Sequence, residues 1–171
     1  FESCEAFWLV IEQQQSSQAA FESFQETILL ELDGEWNISV NPEIQPPGEH
    51  PFNFSGLEQR QWVSALQPCS VWGLDRLSGY VDYEKHFTLA QTQGRIILDL
   101  GKVLNCAQIY LNGELAGERL WPPYRIDISQ YLHEGDNQLN IRIGNLLNNS
   151  YGDAQEFGLL GPVVLAQIFS R

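Results

Sequence analysis

The sequence predicts an all-β fold, a jelly-roll β-sandwich of about eight antiparallel strands. From Glu26 to the C-terminus, apolar and polar residues alternate in short runs, and turn-forming residues separate these runs at a spacing of about ten residues. No stretch sustains the apolar period of an α-helix. Short strands without intervening helices are typical of a sandwich or a jelly roll rather than of an α/β fold.

The chain length indicates one domain with an additional segment. At 171 residues, of which 43% are hydrophobic and 12% aromatic, the chain has ample apolar surface for one core. The apolar run Phe7–Glu12 is followed by a Gln- and Ser-rich stretch at 13–20. We therefore predict that residues 1–25 are a strand and linker, the end of a preceding domain, and that residues 26–171 are the jelly-roll domain. An edge strand of the sandwich is the alternative for Phe7–Glu12.

The first strands of the domain surround a turn signal and precede a long loop. Ile28–Leu32 and Trp36–Val40 flank Asp33-Gly34, a dipeptide that favours left-handed backbone conformations, so we predict a hairpin here. The segment 41–58 is rich in proline and is predicted to be a loop.

The segment 81–89 shows the alternation of a strand with one face in the core. Val81 and Tyr83 alternate with acidic residues, and Phe87 continues the apolar face. Lys85 interrupts that face. We therefore expect either that burial ends early along this strand or that the strand lies at a sheet edge.

Four further segments have clear strand patterns. Alternation predicts strands over 96–100 and 139–143, and an apolar run predicts another over 163–169. The segment 107–111 leads into Asn112-Gly113, the strongest short-range hairpin signal. Gly135–Asn137 is predicted to form the turn before the 139–143 strand. Ile128–Leu132 is too short for more than one helical turn.

Composition excludes several classes of partner. The formal net charge is −13, from 22 acidic and 9 basic side chains, so nucleic acid and anionic membranes would be repelled. No run approaches the roughly 18 apolar residues of a membrane span. The sequence contains no Met, so we expect a processed chain or a piece of a longer polypeptide.

The sequence carries no motif for a metal or another cofactor, and we predict none. The cysteines lack CxxC spacing, and the histidines are scattered singly. We expect the cysteines to be small buried hydrophobic residues. These residues are Cys4, Cys69, Cys106, His50, His86 and His133.

A set of motifs between residues 97 and 149 resembles the sugar-binding jelly-roll domain of family 2 glycoside hydrolases, a galactose-binding-like fold. The set comprises an LDLG strand, a strand ending in LNG, an aromatic-proline loop, an Asp-Ile-Ser step and a G-x-N-x-L-x-I run. These motifs stand at Leu98–Gly101, Leu111–Gly113, Trp121–Arg125, Asp127–Ser129 and Gly135–Ile141. With LDGEW at 32–36 and LSGYVDYEKHF at 77–87, the frame resembles the C-terminal domain of family 106 α-L-rhamnosidase-like proteins.

The resemblance implies a non-catalytic accessory fragment of a larger bacterial glycoside hydrolase. In such enzymes the two catalytic carboxylates lie on a (β/α)₈ barrel, which needs about 250 residues. We therefore predict that this chain has no catalytic residues and is not an enzyme by itself. The expected partners are carbohydrate and the catalytic domain of the parent enzyme, which we expect to be periplasmic or secreted.

The best candidates for ligand binding lie in and near the LWPPYR loop. An aromatic ring can stack on the apolar face of a sugar, and a guanidinium or an amide can bind its hydroxyls. On this basis we predict a sugar site formed by Trp121, Tyr124, Arg125, Asn145, Asn148 and Asp153. Two alternatives remain open: the aromatic residues cap the core, or they form a surface that packs against another domain without binding sugar.

Overall fold

A computed structural model describes residues 24–40, 61–90, 94–145, 149 and 152–170. Across these residues the chain is nearly all β, as predicted, with two single 3₁₀ turns at Cys69–Trp72 and Ser129–Tyr131. The predicted strand Phe7–Glu12, the predicted linker up to residue 23 and the 41–58 loop lie outside the described residues. The strands are β1 Phe24–Glu31, β2 Trp36–Val40, β3 Gln61–Val63, β4 Tyr80–Leu89, β5 Arg95–Asp99, β6 Lys102–Leu104, β7 Cys106–Leu111, β8 Glu114–Arg119, β9 Arg125–Asp127, β10 Gly135–Gly144, β11 Gly158–Gly161 and β12 Val164–Ser170.

Two antiparallel sheets enclose the core, together with a small third sheet. The larger sheet has the order β3-β2-β4-β10-β7-β8, the smaller has the order β1-β12-β5-β9, and β11 pairs with β6. Apolar side chains of both sheets are fully buried, and they include Trp36, Tyr83, Ile109, Ile141, Ile96, Leu98 and Leu165. The strands outnumber the predicted eight because short strands such as β3, β6, β9 and β11 carry too few residues for a visible alternation.

The first described residues of the chain lie in the smaller sheet. β1 begins at Phe24, which pairs with Ser170, and continues through Gln25 opposite Phe169. These two residues, assigned to the linker by the sequence, therefore belong to the smaller sheet.

Strand β4 is central in its sheet and stays buried through Phe87 and Leu89, so both predicted alternatives, an edge position and an early end of burial, are wrong. It pairs with β2 on one side and with β10 along its full length on the other. The Lys85 ammonium lies outside the apolar face, where it donates to the carbonyl oxygens of Asp33 and Glu35. The distance to the Glu35 carbonyl oxygen is 2.8 Å. It also lies 5.6 Å from the centre of the Trp36 ring. The long aliphatic side chain thus allows a charged residue in a central strand.

The predicted hairpin at Asp33-Gly34 is wrong, although the turn itself is present. Gly34 has a φ of 73°, as the dipeptide indicated. However, β1 pairs with β12 and β2 pairs with β3 and β4, so this turn carries the chain from one sheet to the other. The Trp36 indole nitrogen donates to the Leu32 carbonyl at 3.2 Å, which holds the crossing against the core. A turn dipeptide determines backbone direction but does not determine which strands pair.

The Asn112-Gly113 hairpin is confirmed, with φ values of 53° and 86° and with Leu111 opposite Glu114. The predicted turn at Gly135–Asn137 is wrong because these residues form the start of β10, paired with β4. The two features are connected, since the Asn112 side-chain nitrogen donates to the Asn137 side-chain oxygen at 2.9 Å.

Replacing Asn137 by Ala should cost about 2 kcal/mol of unfolding free energy, because buried backbone groups would lose their partners. Asn137 is 1% exposed, accepts from the His133 amide at 2.9 Å and donates to the His133 carbonyl at 2.7 Å. Urea unfolding of the variant measures the loss. Gln138→Ala, at an exposed neighbour, should change stability by less than about 0.5 kcal/mol. Equal losses at both sites would show that this network does not stabilise the fold.

The buried pair Cys69 and Tyr83 should make the protein less stable at alkaline pH. The Cys69 sulfur and the Tyr83 hydroxyl oxygen are 3.2 Å apart. Burial raises the pKa of the Cys69 thiol to about 12, and it raises the pKa of the Tyr83 phenol well above its usual range. Between a pH of about 9 and 12 the folded state keeps a thiol proton that the unfolded chain loses. The unfolding free energy should therefore fall with rising pH, by at most about 1.4 kcal/mol per unit from this thiol.

The test is to measure the unfolding free energy between pH 8 and pH 10, with Cys69→Ala as the matched variant. In this range the Tyr83 phenol contributes less to the pH dependence of stability. The variant should show a smaller loss of stability per pH unit than the unmodified chain. Identical pH slopes would contradict the assigned burial of the thiol.

Candidate functional site

The 120–125 loop, which connects β8 to β9, exposes one end and buries the other. Leu120 and Trp121 are 62% and 61% exposed, and both are therefore available at the surface. The Pro122–Pro123 peptide bond is cis, and the chain then enters the core at Tyr124. The loop therefore displays the Trp121 indole beside a buried anchor.

Tyr124 is that anchor rather than an exposed contact. Its ring is buried, and its hydroxyl donates to the Asn105 carbonyl at 2.5 Å. Its own carbonyl accepts from the Leu100 amide at 2.9 Å. Burial raises the pKa of the phenol, and the neighbouring Cys106 raises it further, so the hydroxyl remains a donor. For this residue the geometry favours the core-capping alternative that the sequence left open.

Arg125 is partly buried between two carboxylates of the smaller sheet, one on β1 and one on β5. Its guanidinium donates to Glu26 on β1 at 2.6 Å and lies 3.3 Å from the Asp99 carboxylate on β5. Its carbonyl accepts from the Arg119 guanidinium at 2.6 Å. These contacts fix the end of the 120–125 loop to the smaller sheet, and they hold the guanidinium in one direction.

Asn145 lies at the same end of the sandwich as Tyr124. Its side-chain nitrogen donates to the Leu77 carbonyl at 2.6 Å, and its side-chain oxygen accepts from Asn105 at 2.9 Å. Since Asn105 also accepts from the Tyr124 hydroxyl, one residue connects two of the predicted site residues. Asn105 was not predicted from the sequence. It has a φ of 82°, and an Asn between two strand patterns is the signal that indicates such a position.

The remaining predicted residues lie on the segment after β10. Asn148 falls outside the described residues, and Asp153 is exposed. The preceding residue, Gly152, accepts from the Arg76 guanidinium at 2.7 Å. Asn149, also not predicted, is fully buried and donates to the carbonyls of Asp75 and Gln155 at 3.0 and 2.7 Å. Asn149 and Gly152 are thus both bound to the adjacent residues Asp75 and Arg76.

Metal binding and membrane insertion are two further possibilities for the described part of the chain. Within it, no three His, Cys, Asp or Glu side chains converge in a way that could hold a metal ion. No helix there is long and apolar enough to pass through a membrane.

The fold agrees with solved glycoside hydrolases. A rhamnosidase from Novosphingobium sp. PP1Y superposes with a TM-score of 0.70 at 23% identity, over 94% of this chain and 16% of the rhamnosidase. A β-glucuronidase from an uncultured Clostridium sp. superposes with a TM-score of 0.61 at 20% identity, over 95% of this chain and 30% of that enzyme. At these identities the likeness shows a shared fold.

Sequence similarity extends the comparison to a curated protein and to a family. A Formosa agariphila protein named "Putative beta-glucuronidase" is 31% identical over 141 residues, which are 78% of this chain. This chain spans 11% of the length of that relative. The family model described as "Glycosyl hydrolase 2 galactose-binding domain-like" matches residues 79–162, the segment that holds β4 to β11. Residues 79–162 therefore belong to the glycosyl hydrolase 2 galactose-binding domain-like family.

Proposed function

We propose that this chain is a non-catalytic carbohydrate-binding module of a larger glycoside hydrolase. The observation that carries the proposal is the exposed Trp121 indole on a loop anchored by Tyr124 and Arg125. The apolar face of a pyranose can stack on such a ring. Because the neighbours of Trp121 are already fixed, little conformational entropy is lost when the loop binds.

The catalytic carboxylates belong, in this proposal, to another part of the parent protein. This chain has 171 residues, fewer than the roughly 250 of a complete (β/α)₈ barrel. Its small share of the length of its relatives supports a parent with several further domains. We propose a periplasmic or secreted parent that acts on glycosides. The names of the relatives support a glucuronide or a rhamnoside, and the family 106 resemblance supports an α-L-rhamnosidase-like parent.

A second candidate function is packing against the catalytic domain without sugar binding. Leu120 supports it, because an exposed leucine beside an exposed tryptophan forms an apolar patch suited to a protein surface. The two candidates share the same loop and differ in its partner.

Native electrophoresis through gels that contain neutral or acidic polysaccharides distinguishes them. If the chain binds carbohydrate, the unmodified chain should migrate more slowly in at least one gel. The Trp121→Ala variant should migrate normally in the same gel. If the chain packs against the catalytic domain without binding sugar, both chains should migrate normally in every gel. The chain should then interact directly with the separately produced catalytic part of the parent.

The isolated chain should not hydrolyse aryl glycosides, including aryl α-L-rhamnosides and aryl β-glucuronides. Glycosidases position two carboxylates about 5 to 9.5 Å apart across the scissile bond, and we assign that pair to the parent's catalytic domain. Release of the aryl group, followed by absorbance, measures turnover. Turnover that a single carboxylate substitution abolishes would overturn the proposal.

A further inference from the structure

The solvent-facing side of the six-stranded sheet contains a concave surface that is separate from the 120–125 loop. Its volume is about 410 Å³, within the range of about 300 to 1,000 Å³ that is typical of small-molecule sites. We call it the sheet-face concavity. It is lined by Glu84, Tyr110, Gly113, Gln138, Asn140 and Arg142.

Three of these side chains form one row across neighbouring strands. In the strand register Asn140 on β10 lies directly opposite Glu84 on β4 and directly opposite Tyr110 on β7. Side chains paired in this way are about 5 Å apart, a spacing comparable to the width of a pyranose ring. The row therefore presents a carboxylate, an amide and a phenol ring to one ligand. Leu115, exposed and opposite Tyr110 on β8, extends the apolar edge.

The adjacent row holds the concavity in a fixed arrangement. The Arg142 guanidinium donates twice to the Asp82 carboxylate, at 2.8 and 3.1 Å. The Tyr110 hydroxyl donates to the Gln108 side chain at 3.4 Å, and Gln108 donates to Glu118 at 2.7 Å. These contacts orient the binding groups before a ligand arrives, which lowers the entropy cost of binding.

The charges around the concavity disfavour an acidic ligand. Among the described residues that line the concavity the cation is Arg142, and it is already paired with Asp82. Glu84 also lines the concavity, with its carboxylate 3.4 Å from the His86 imidazole, and Glu118 accepts from the Gln108 side chain in the adjacent row. The net charge of −13 adds a repulsive background. Carboxylates and amides bind neutral hydroxyls well, but a uronate would meet like charge.

We propose that the sheet-face concavity is a second carbohydrate site, which takes a neutral pyranoside and discriminates against a uronate. The ring of the sugar lies against Tyr110, and its hydroxyls bind Asn140 and Glu84. The site goes beyond the proposed function, because its lining includes no residue of the 120–125 loop and because it selects by charge.

Nuclear magnetic resonance of the ¹⁵N-labelled chain tests both sites in one titration. The probes are methyl β-D-galactopyranoside, methyl α-L-rhamnopyranoside and methyl β-D-glucuronide. We expect at least one neutral glycoside to shift the side-chain amide signals of Asn140 and Gln138 saturably. The glucuronide should bind there at least tenfold more weakly at low salt.

Two variants and one control sharpen the test. Asn140→Ala should weaken neutral binding at least tenfold, whereas Gln167→Ala, which removes an amide from the opposite sheet, should leave it unchanged. Glu84→Gln keeps the shape of the side chain and removes its charge, so it should reduce the discrimination against the glucuronide. Preserved backbone signals show whether each variant is folded.

The Trp121 indole signal separates this inference from the proposed function. Saturable indole shifts without shifts at Asn140 would overturn the sheet-face site and leave the loop site standing. Shifts at Asn140 alone would support the sheet-face site and remove the role of Trp121. Glucuronide binding at Asn140 as tight as neutral binding would refute the charge selectivity, and an absence of saturable shifts would refute both sites.

Discussion

Replacing Gly101 by Ala is expected to lower the unfolding free energy by about 3 kcal/mol or more, through backbone strain and overpacking together. Gly101 has a φ of 62°, a left-handed conformation that disfavours a side chain. A Cβ atom at this position would lie 2.5 Å from the Pro162 carbonyl oxygen and 2.6 Å from the Gly161 carbonyl carbon. Both obstacles are backbone atoms, so no rotamer change relieves them. Chemical denaturation measures the loss.

The matched control for this change is Gly113→Ala in the β7–β8 hairpin. Gly113 also has a positive φ, 86°, but no atom lies within 4 Å of its added Cβ. The control therefore isolates the conformational cost, about 1 kcal/mol. If the two variants lost the same stability, the close approach between Gly101 and the Gly161–Pro162 backbone would be contradicted.

Replacing Trp121 by Ala is expected to weaken saccharide binding at least about tenfold, since loss of ring stacking removes an interaction of about 1.4 kcal/mol. The same change should lower stability by less than about 1 kcal/mol, because the side chain is 61% exposed. A core tryptophan would instead cost about 3 to 5 kcal/mol when truncated. Binding titration and chemical denaturation of the same sample provide the two measurements.

The chain contains a suitable control for that variant. Trp62 on β3 is 62% exposed, so Trp62→Ala removes the same side chain at almost the same exposure. We expect unchanged saccharide affinity in this control. A large loss of stability in Trp121→Ala with unchanged binding would show that the 120–125 loop only caps the core.

Local backbone chemistry was predictable from the sequence. Asn112-Gly113 forms the hairpin that the dipeptide indicates, with positive φ at both residues. The alternation in β4 and β10 also agrees with their burial, because both strands have one face in the core. These features depend on residues close in sequence, and a pattern in the sequence reports them directly.

Pairing between distant segments was not predictable. The Asp33-Gly34 turn was assigned to a hairpin, yet its flanking strands belong to different sheets. Tyr124 and Trp121 have similar sequence signals, but the first is buried and the second is exposed. The sheet-face concavity combines three strands whose register no local pattern determines. Sequence periodicity identifies which face of a strand is polar, but it does not identify which polar side chains meet.

Calorimetric titration of the unmodified chain with the saccharides that retard it in gels tests the central claim most directly. We expect a saturable heat of binding, and we expect the saccharide to be recovered intact afterwards. A chain that gave no saturable heat with any neutral or acidic saccharide, while remaining fully folded, would contradict the assignment of a carbohydrate-binding module.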